Sequence, residues 1–131
     1  MYDIEEERYN IYWKKAKEFY QIMKFAEDKE LWIGAGLLGI HCAISLCDAL
    51  TTFYLGARSR SEKHQDVVVL LKKIKVKNID EKIRHVLSIL SVKNLVEYEA
   101  REFKESDSRK IIIQVERLYV WVSQLLPIRE D

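Results

Sequence analysis

The sequence predicts an all-α fold, an antiparallel up-and-down four-helix bundle with one short extra helix. Apolar residues recur at steps of three and four along most of the chain, which is the spacing of one helix face. Glycine and proline, which the tight turns of sheets use often, number only four and one in 131 residues. A chain of this length with 48% apolar residues can bury one substantial core, so we expect a single domain over residues 1–131.

Two long helices open the chain. The first is predicted from residue 3 to about residue 28, with a face of Tyr9, Tyr12, Trp13, Ala16, Phe19, Tyr20 and Met23. The second covers residues 31–55 and ends at Gly56, a residue that commonly terminates helices. Small residues at Gly34, Gly36 and Gly39 indicate that a neighbouring backbone approaches its first turns closely.

The second helix is apolar enough to raise the question of a membrane. No Lys, Arg or Glu occurs between Leu31 and Ala57, a length that could cross a bilayer. However, His41 and Asp48 lie inside this segment, and a mid-membrane Asp costs about 2.5–3.5 kcal/mol. The other segments are amphipathic and need a partner for their apolar stripes. We therefore expect a central bundle helix and no membrane.

Three further helices are predicted after the second. A short third helix runs from a Ser61 N-cap to about Ile74. The fourth runs from Ile79 to about Phe103, and Asn78 with Glu81 resembles a capping box at its start.

The last helix is predicted from Ser108 to Leu126, after an Asp107 N-cap and before Pro127. Short links between the long helices favour two antiparallel hairpins, the first helix with the second and the fourth with the last.

Charge and cysteine usage bound the function and the compartment. The 22 basic and 21 acidic residues give a net charge of +1, so any nucleic-acid site must be a local basic patch. Cys42 and Cys47 point about 140° apart on one helix and cannot pair in place. Free thiols and an acidic N-terminus unlike a signal peptide indicate a reducing, cytoplasmic location.

A polar stripe runs along the otherwise apolar second helix. His41, Ser45, Asp48 and Thr52 are spaced by four, three and four residues and therefore share one face. They either form a satisfied polar core with groups such as Lys93 or Tyr98, or orient a functional site. A small-ligand pocket around His41 and Asp48 is a further reading.

The link after the second helix carries the strongest chemical pattern. Two arginines, a serine, a lysine and a histidine precede or begin the third helix, whose N-terminus favours an anion. They are Arg58, Arg60, Ser61, Lys63 and His64. A histidine near an arginine can serve as acid or base in phosphoryl transfer. The alternative is a solvated polar linker with a helix cap.

Metal and cofactor chemistry is not expected. The sequence has no His-Glu-x-x-His, no Cys-x-x-Cys and no Glu-x-x-His pair of the di-iron bundles. The third histidine, His85, is interpreted as an exposed surface residue of the fourth helix.

Two segments resemble the HEPN family, helical domains of prokaryotic toxins, defence proteins and nucleotidyltransferase partners. They are residues 40–50, and residues 55–64 running into 67–71. A Lys before a Tyr on a later helix, here Lys93 and Tyr98, also fits small uncharacterised members. Nuclease members carry an Arg, four to six residues and a His, and five residues separate Arg58 from His64.

The resemblance implies that Arg58 binds phosphate and that His64 acts in metal-independent RNA cleavage by a homodimer. The expected function is thus a ribonuclease, or an RNA- or nucleotide-binding component, of a toxin–antitoxin or defence system. The alternative is a non-enzymatic helical interaction module, a partner of a nucleotidyltransferase-type protein, with a structural polar core.

Overall fold

The protein is all-helical wherever its structure is described. We describe it from a computed structural model, which covers residues 8–59, 64–93 and 101–127. Five helices follow one another, and no strand occurs within these ranges, so the all-α prediction is confirmed. They are α1 (Tyr9–Asp28), α2 (Trp32–Leu55), α3 (His64–Leu71), α4 (Ile79–Ser91) and α5 (Glu105–Leu125).

The α2 helix lies at the centre and packs against each of the other four helices. Its buried side chains come from nearly every direction around its axis, which explains why the sequence shows an unbroken apolar run there instead of a stripe. Among the described helices, α2 alone is long and apolar enough to cross a membrane, and most of that stretch is buried within the protein. This burial is what the prediction of a core helix requires.

Two glycines of α2 lie against side chains on the α5 side of the molecule. A Cβ atom at Gly36 would lie 2.6 Å from the ring of Phe103, and one at Gly39 would lie 2.9 Å from Ile111 Cγ2. Side chains, and not the predicted neighbouring backbone, therefore occupy the space beside these two glycines. At Gly34 nothing lies within 4 Å of an added Cβ atom, so the prediction of a close neighbour is wrong there.

Side-chain contacts give the directions of neighbouring helices. Lys24, near the end of α1, bonds to Glu116 of α5 at 2.9 Å, while Tyr9, at the start of α1, donates to the carbonyl oxygen of Pro127 beyond α5. These two helices therefore run in opposite directions. The α4 and α5 helices also run in opposite directions, because Ser88 lies beside Gln114 and Lys82 beside Trp121.

Several helix ends differ from the sequence prediction. The α5 helix begins at Glu105 with Lys104 as N-cap, and Asp107, predicted as the cap, instead accepts a hydrogen bond from the Lys104 amide at 2.9 Å. The prediction of helix up to Phe103 is wrong there, because Phe103 lies outside any helix and uses its ring to fill the space over Gly36.

Two other predicted ends need correction. Asn78 makes no side-chain capping bond and adopts the left-handed conformation (φ 69°), so the capping box with Glu81 does not form. The α3 helix ends at Leu71, and Ile74 is buried in the turn that follows. The predicted N-cap, Ser61, lies outside the described residues.

Candidate functional site at the end of α2

Arg58 is positioned by the way in which α2 ends. Gly56 adopts a left-handed conformation (φ 66°), and its amide donates to the Thr52 carbonyl at 2.9 Å. Such a terminus turns the chain sharply away from the helix axis. Two residues later, Nη1 of Arg58 lies 3.9 Å from Oδ2 of Asp48 on the last turns of α2.

The aromatic ring of Tyr12 forms the second contact of Arg58. The guanidinium carbon lies 5.1 Å from the centre of that ring, within the range of a cation–π interaction. A second cation, Nζ of Lys15, lies 5.7 Å from the same ring centre. The α1 helix therefore contributes to this site, which we call the Arg58 site: Tyr12, Lys15, Asp48 and Arg58.

The charges of the Arg58 site favour an anion. The Asp48 side chain is 18% exposed and that of Arg58 is 46% exposed, so the guanidinium faces water more than its carboxylate partner does. At 3.9 Å the contact is an ion pair and not a hydrogen bond. Arg carries five N–H donors in a planar fork that matches phosphate, so a phosphate oxygen can approach from the exposed side.

The polar stripe of α2 is only partly drawn into this site. His41 is half-buried, and its ring centre lies 5.8 Å from that of Phe19 on α1. It precedes Asp48 by seven residues, or about 10 Å of helix rise. Ser45 is buried between the two. Asp48 thus contacts Arg58, as the predicted orienting role requires, whereas His41, about two turns earlier on α2, packs against the ring of Phe19 on α1.

The remaining predicted site residues lie at the borders of the described structure or beyond them. His64 is the first residue of α3, but its side chain lies outside the described part, as do Arg60, Ser61, Lys63 and Tyr98. Lys93 is half-buried just beyond the end of α4. The α3 helix, which begins at His64, packs against α2 and α4. His64 follows Arg58 by six residues in the sequence.

Tyr12 and Lys15 are the members of this site that sequence reasoning missed. The helical spacing had placed Tyr12 on the core face of α1, and the structure shows its ring half-buried at the edge of that face. Helical periodicity reports which side of its own helix a residue occupies. It carries no signal for a contact with a residue in a distant turn.

His85 is the histidine whose predicted environment is wrong. It is half-buried instead of exposed, and its Nδ1 atom is enclosed without a hydrogen-bond partner. Burial, followed by the nearby charge of Lys82, lowers the pKa of His85 below its ordinary value. The side chain is thus held in its neutral form at neutral pH.

The two cysteines are free and buried, consistent with the predicted geometry. Burial raises the pKa of the Cys42 thiol to about 12, and this thiol lies 3.3 Å from the carbonyl oxygen of Ala16. The pKa of Cys47 is raised by burial and by the neighbouring Asp48 carboxylate. Since the thiolate is the reactive form, neither cysteine is a nucleophile at neutral pH.

Within the three described ranges, no group of three or more His, Cys, Asp and Glu side chains is placed to hold a metal ion. Comparison of the chain with protein-family models, with curated proteins and with solved structures found no match. The interpretation of the Arg58 site therefore depends on its own residues.

Proposed function

We propose that this protein is a HEPN-like domain that binds RNA and cleaves it without a metal ion. Arg58 binds the scissile phosphate, and His64 transfers the proton. The observation that carries the proposal is the seating of Arg58. Asp48 and the ring of Tyr12 hold a half-exposed guanidinium at the end of α2, six residues before the histidine that begins α3.

RNA brings its own nucleophile to such a site. The 2′-hydroxyl gives its proton to the neutral imidazole of His64 as its oxygen bonds to phosphorus. The bond from phosphorus to the 5′-oxygen breaks, and that oxygen takes up a proton from a protonated imidazole or from water. Arg58 stabilises the charge that accumulates on the non-bridging oxygens. Arg60, Ser61 and Lys63 contribute further contacts to the RNA backbone.

The antiparallel four-helix bundle belongs to this proposal. The opposed directions of α1 and α5, and of α4 and α5, support it, as does the position of α2 against all of the others. The short α3 is the extra helix. In this arrangement the predicted catalytic histidine is the first residue of the shortest helix, nine residues after the end of the most buried one.

We infer that the active form is a cytoplasmic homodimer in a toxin–antitoxin or defence system. In that form the sites of two copies face each other, as the HEPN resemblance implies. Val69 supports a contact on this side of the molecule. It lies five residues after His64 on α3 and is 56% exposed, so a second copy that contacts this side of the molecule would cover it.

RNA cleavage with the purified protein tests the proposal. The wild type is incubated with single-stranded RNA, with and without a chelator, and is expected to cleave in both cases. Arg58→Ala and His64→Ala are each expected to reduce the rate by about 100-fold or more. Arg109→Ala, which removes an exposed arginine on α5, is the matched control and should leave the rate unchanged.

Tyr12→Leu tests the seating of Arg58 in the same assay. The guanidinium keeps its charge but loses the ring beneath it, so we expect an intermediate loss of about tenfold, mostly in KM. Circular dichroism of each variant should retain the helical signal. Cleavage by His64→Ala at the wild-type rate would remove His64 from the mechanism.

A second candidate is a non-enzymatic module that binds a nucleotidyltransferase-type protein. The observation that favours it is a set of large apolar side chains exposed on α1 and α5: Ile11, Ile22, Phe25, Ile113 and Val120. In that case the polar stripe of α2 is structural. The same assay separates the two candidates, because a module leaves RNA intact whether or not Arg58 and His64 are present.

A further inference from the structure

A groove between α4 and α5 shares no residue with the Arg58 site. Its volume is about 490 Å³, which falls in the range of small-molecule sites. One wall comes from the first turns of α4 and the other from the second half of α5. The two helices run in opposite directions, so the start of one lies beside the end of the other.

The floor of this groove is apolar and aromatic. Trp121 lines the groove and is only 8% exposed, so a small part of its side chain faces the groove and the rest is buried. Val120 beside it is 52% exposed. A flat ring placed on this floor would contact both the indole and the valine side chain, and aromatic pairs add to the free energy gained by burial alone.

Two cations stand at the sides of this floor. Nζ of Lys82 lies 6.0 Å from the centre of the Trp121 ring, and Arg117 projects from the neighbouring turn of α5. Two acidic residues line the groove. The Glu116 carboxylate is already paired with Lys24, whose Nζ lies 2.9 Å from Oε2. Only Glu81 then opposes the two cations. The lowered pKa of His85, to which burial and then Lys82 contribute, agrees with a positive local field.

The far end of the groove offers two carboxamides, Asn78 and Gln124. A carboxamide both donates and accepts hydrogen bonds, and pairs of them suit the edge of a heterocyclic ring. The groove thus combines an aromatic floor, a cationic side and a donor–acceptor end within a volume suited to one small molecule.

We propose that this groove binds a small planar aromatic anion of the nucleoside monophosphate class. The heterocycle lies on Trp121 and Val120 with its edge toward the carboxamides, and the phosphate lies between Lys82 and Arg117. Each part of the ligand then meets a group of matching chemistry. This site is independent of RNA cleavage at Arg58, because none of its residues belongs to that site.

Titration with adenosine monophosphate, followed by NMR of the indole N–H signals, tests this proposal. The chain has three tryptophans. The Trp121 signal, identified by its loss in Trp121→Phe, is expected to shift and saturate. The Trp32 signal is an internal control, because its ring lies under Arg109, 4.9 Å from the guanidinium carbon, and outside the groove.

Three variants and two ligand fragments complete the test. Arg117→Gln and Lys82→Gln are each expected to weaken binding by about tenfold, and Arg109→Gln, the matched loss of a cation over a tryptophan, should change nothing. Adenosine and inorganic phosphate should each bind at least about tenfold more weakly than the monophosphate.

Equal shifts of the Trp32 and Trp121 signals would overturn the proposal, as would a Trp121 signal unmoved at millimolar ligand. Equal affinity for adenosine and adenosine monophosphate would also contradict it, because the two cations would then have no role in recognition.

Discussion

Arg58 shows what a single residue can and cannot reveal before its structure is known. Its candidacy followed from its spacing to His64, and an orienting role for Asp48 was one of the interpretations of the polar stripe of α2 that the sequence left open; the structure shows the two side chains as an ion pair. The ring beneath it came as a finding, because Tyr12 shares its spacing with ordinary core residues. The local sequence pattern predicted the charged residue, Arg58. The contact of Arg58 with Tyr12 depends on tertiary structure, which the pattern does not report.

Substitution by alanine should have opposite effects on the free energy of unfolding at Gly34 and Gly36, which lie two residues apart on α2. In Gly36→Ala the new Cβ would lie 2.6 Å from Cε1 and Cζ of Phe103, so the buried ring must move. We expect a loss of about 1–3 kcal/mol in the free energy of unfolding. Gly34→Ala meets nothing within 4 Å and should gain about 0.5–1 kcal/mol from the better helix former.

Urea unfolding followed by circular dichroism measures both changes. Loss of stability of equal size in the two variants would mean that the backbone of α2, and not the contact with Phe103, decides the outcome.

Helix positions followed from the sequence far better than helix ends. Periodicity sums over many residues, so all five helices were expected from it. Their ends depend on single dihedral angles and hydrogen bonds. Asn78 was expected to cap α4 but adopts a left-handed backbone, and Asp107 was expected one turn too late as the cap of α5. Phe103 lies outside the predicted helix, and its ring fills the space over Gly36.

The first turn of α5 should make the stability depend on pH. The backbone amide of Lys104 and the side chain of Arg101 hold the pKa of Asp107 below its ordinary 3.8. The carboxylate therefore stabilises the fold above that pH, and this contribution is lost as the pH falls through the lowered pKa. Asp107→Ala should lower the free energy of unfolding by about 1 kcal/mol at pH 7.

The difference between wild type and Asp107→Ala, measured by urea unfolding at several pH values, should shrink below pH 3.8. Ser106→Ala, in the same exposed turn, provides the control. A difference that stays constant down to acid pH would assign the effect to packing instead of charge.

The whole molecule is organised around α2, and this could be anticipated only in part. Its lack of Lys, Arg and Glu predicted a central position, and its contacts with every other helix agree with that. The pairing of its glycines with Phe103 and Ile111 was beyond sequence reasoning. A small residue indicates that something comes close but does not identify the neighbour.

The proposed dimer is tested at this scale by the mass of the particle in solution. Size-exclusion chromatography with light scattering should give twice the chain mass of 15.6 kDa. Val69→Asp places a charge on the exposed side of α3 and should give a monomer with little RNA cleavage. Ile113→Asp, an equally drastic change at an exposed position of α5, should leave both dimer and cleavage intact. A monomeric wild type that still cleaves RNA would contradict the dimer.

The reliance of α2 on α5 has a consequence for how the chain is made in the cell. Roughly 50 residues separate the end of one helix from the start of the other, and at 5–20 residues per second a ribosome needs several seconds to translate them. Throughout that interval the glycine-lined side of α2 has been synthesised, but the α5 helix that packs against it has not. The nascent polypeptide is therefore a natural client for a holding chaperone, and slow codons late in the message would lengthen the time for which it needs one.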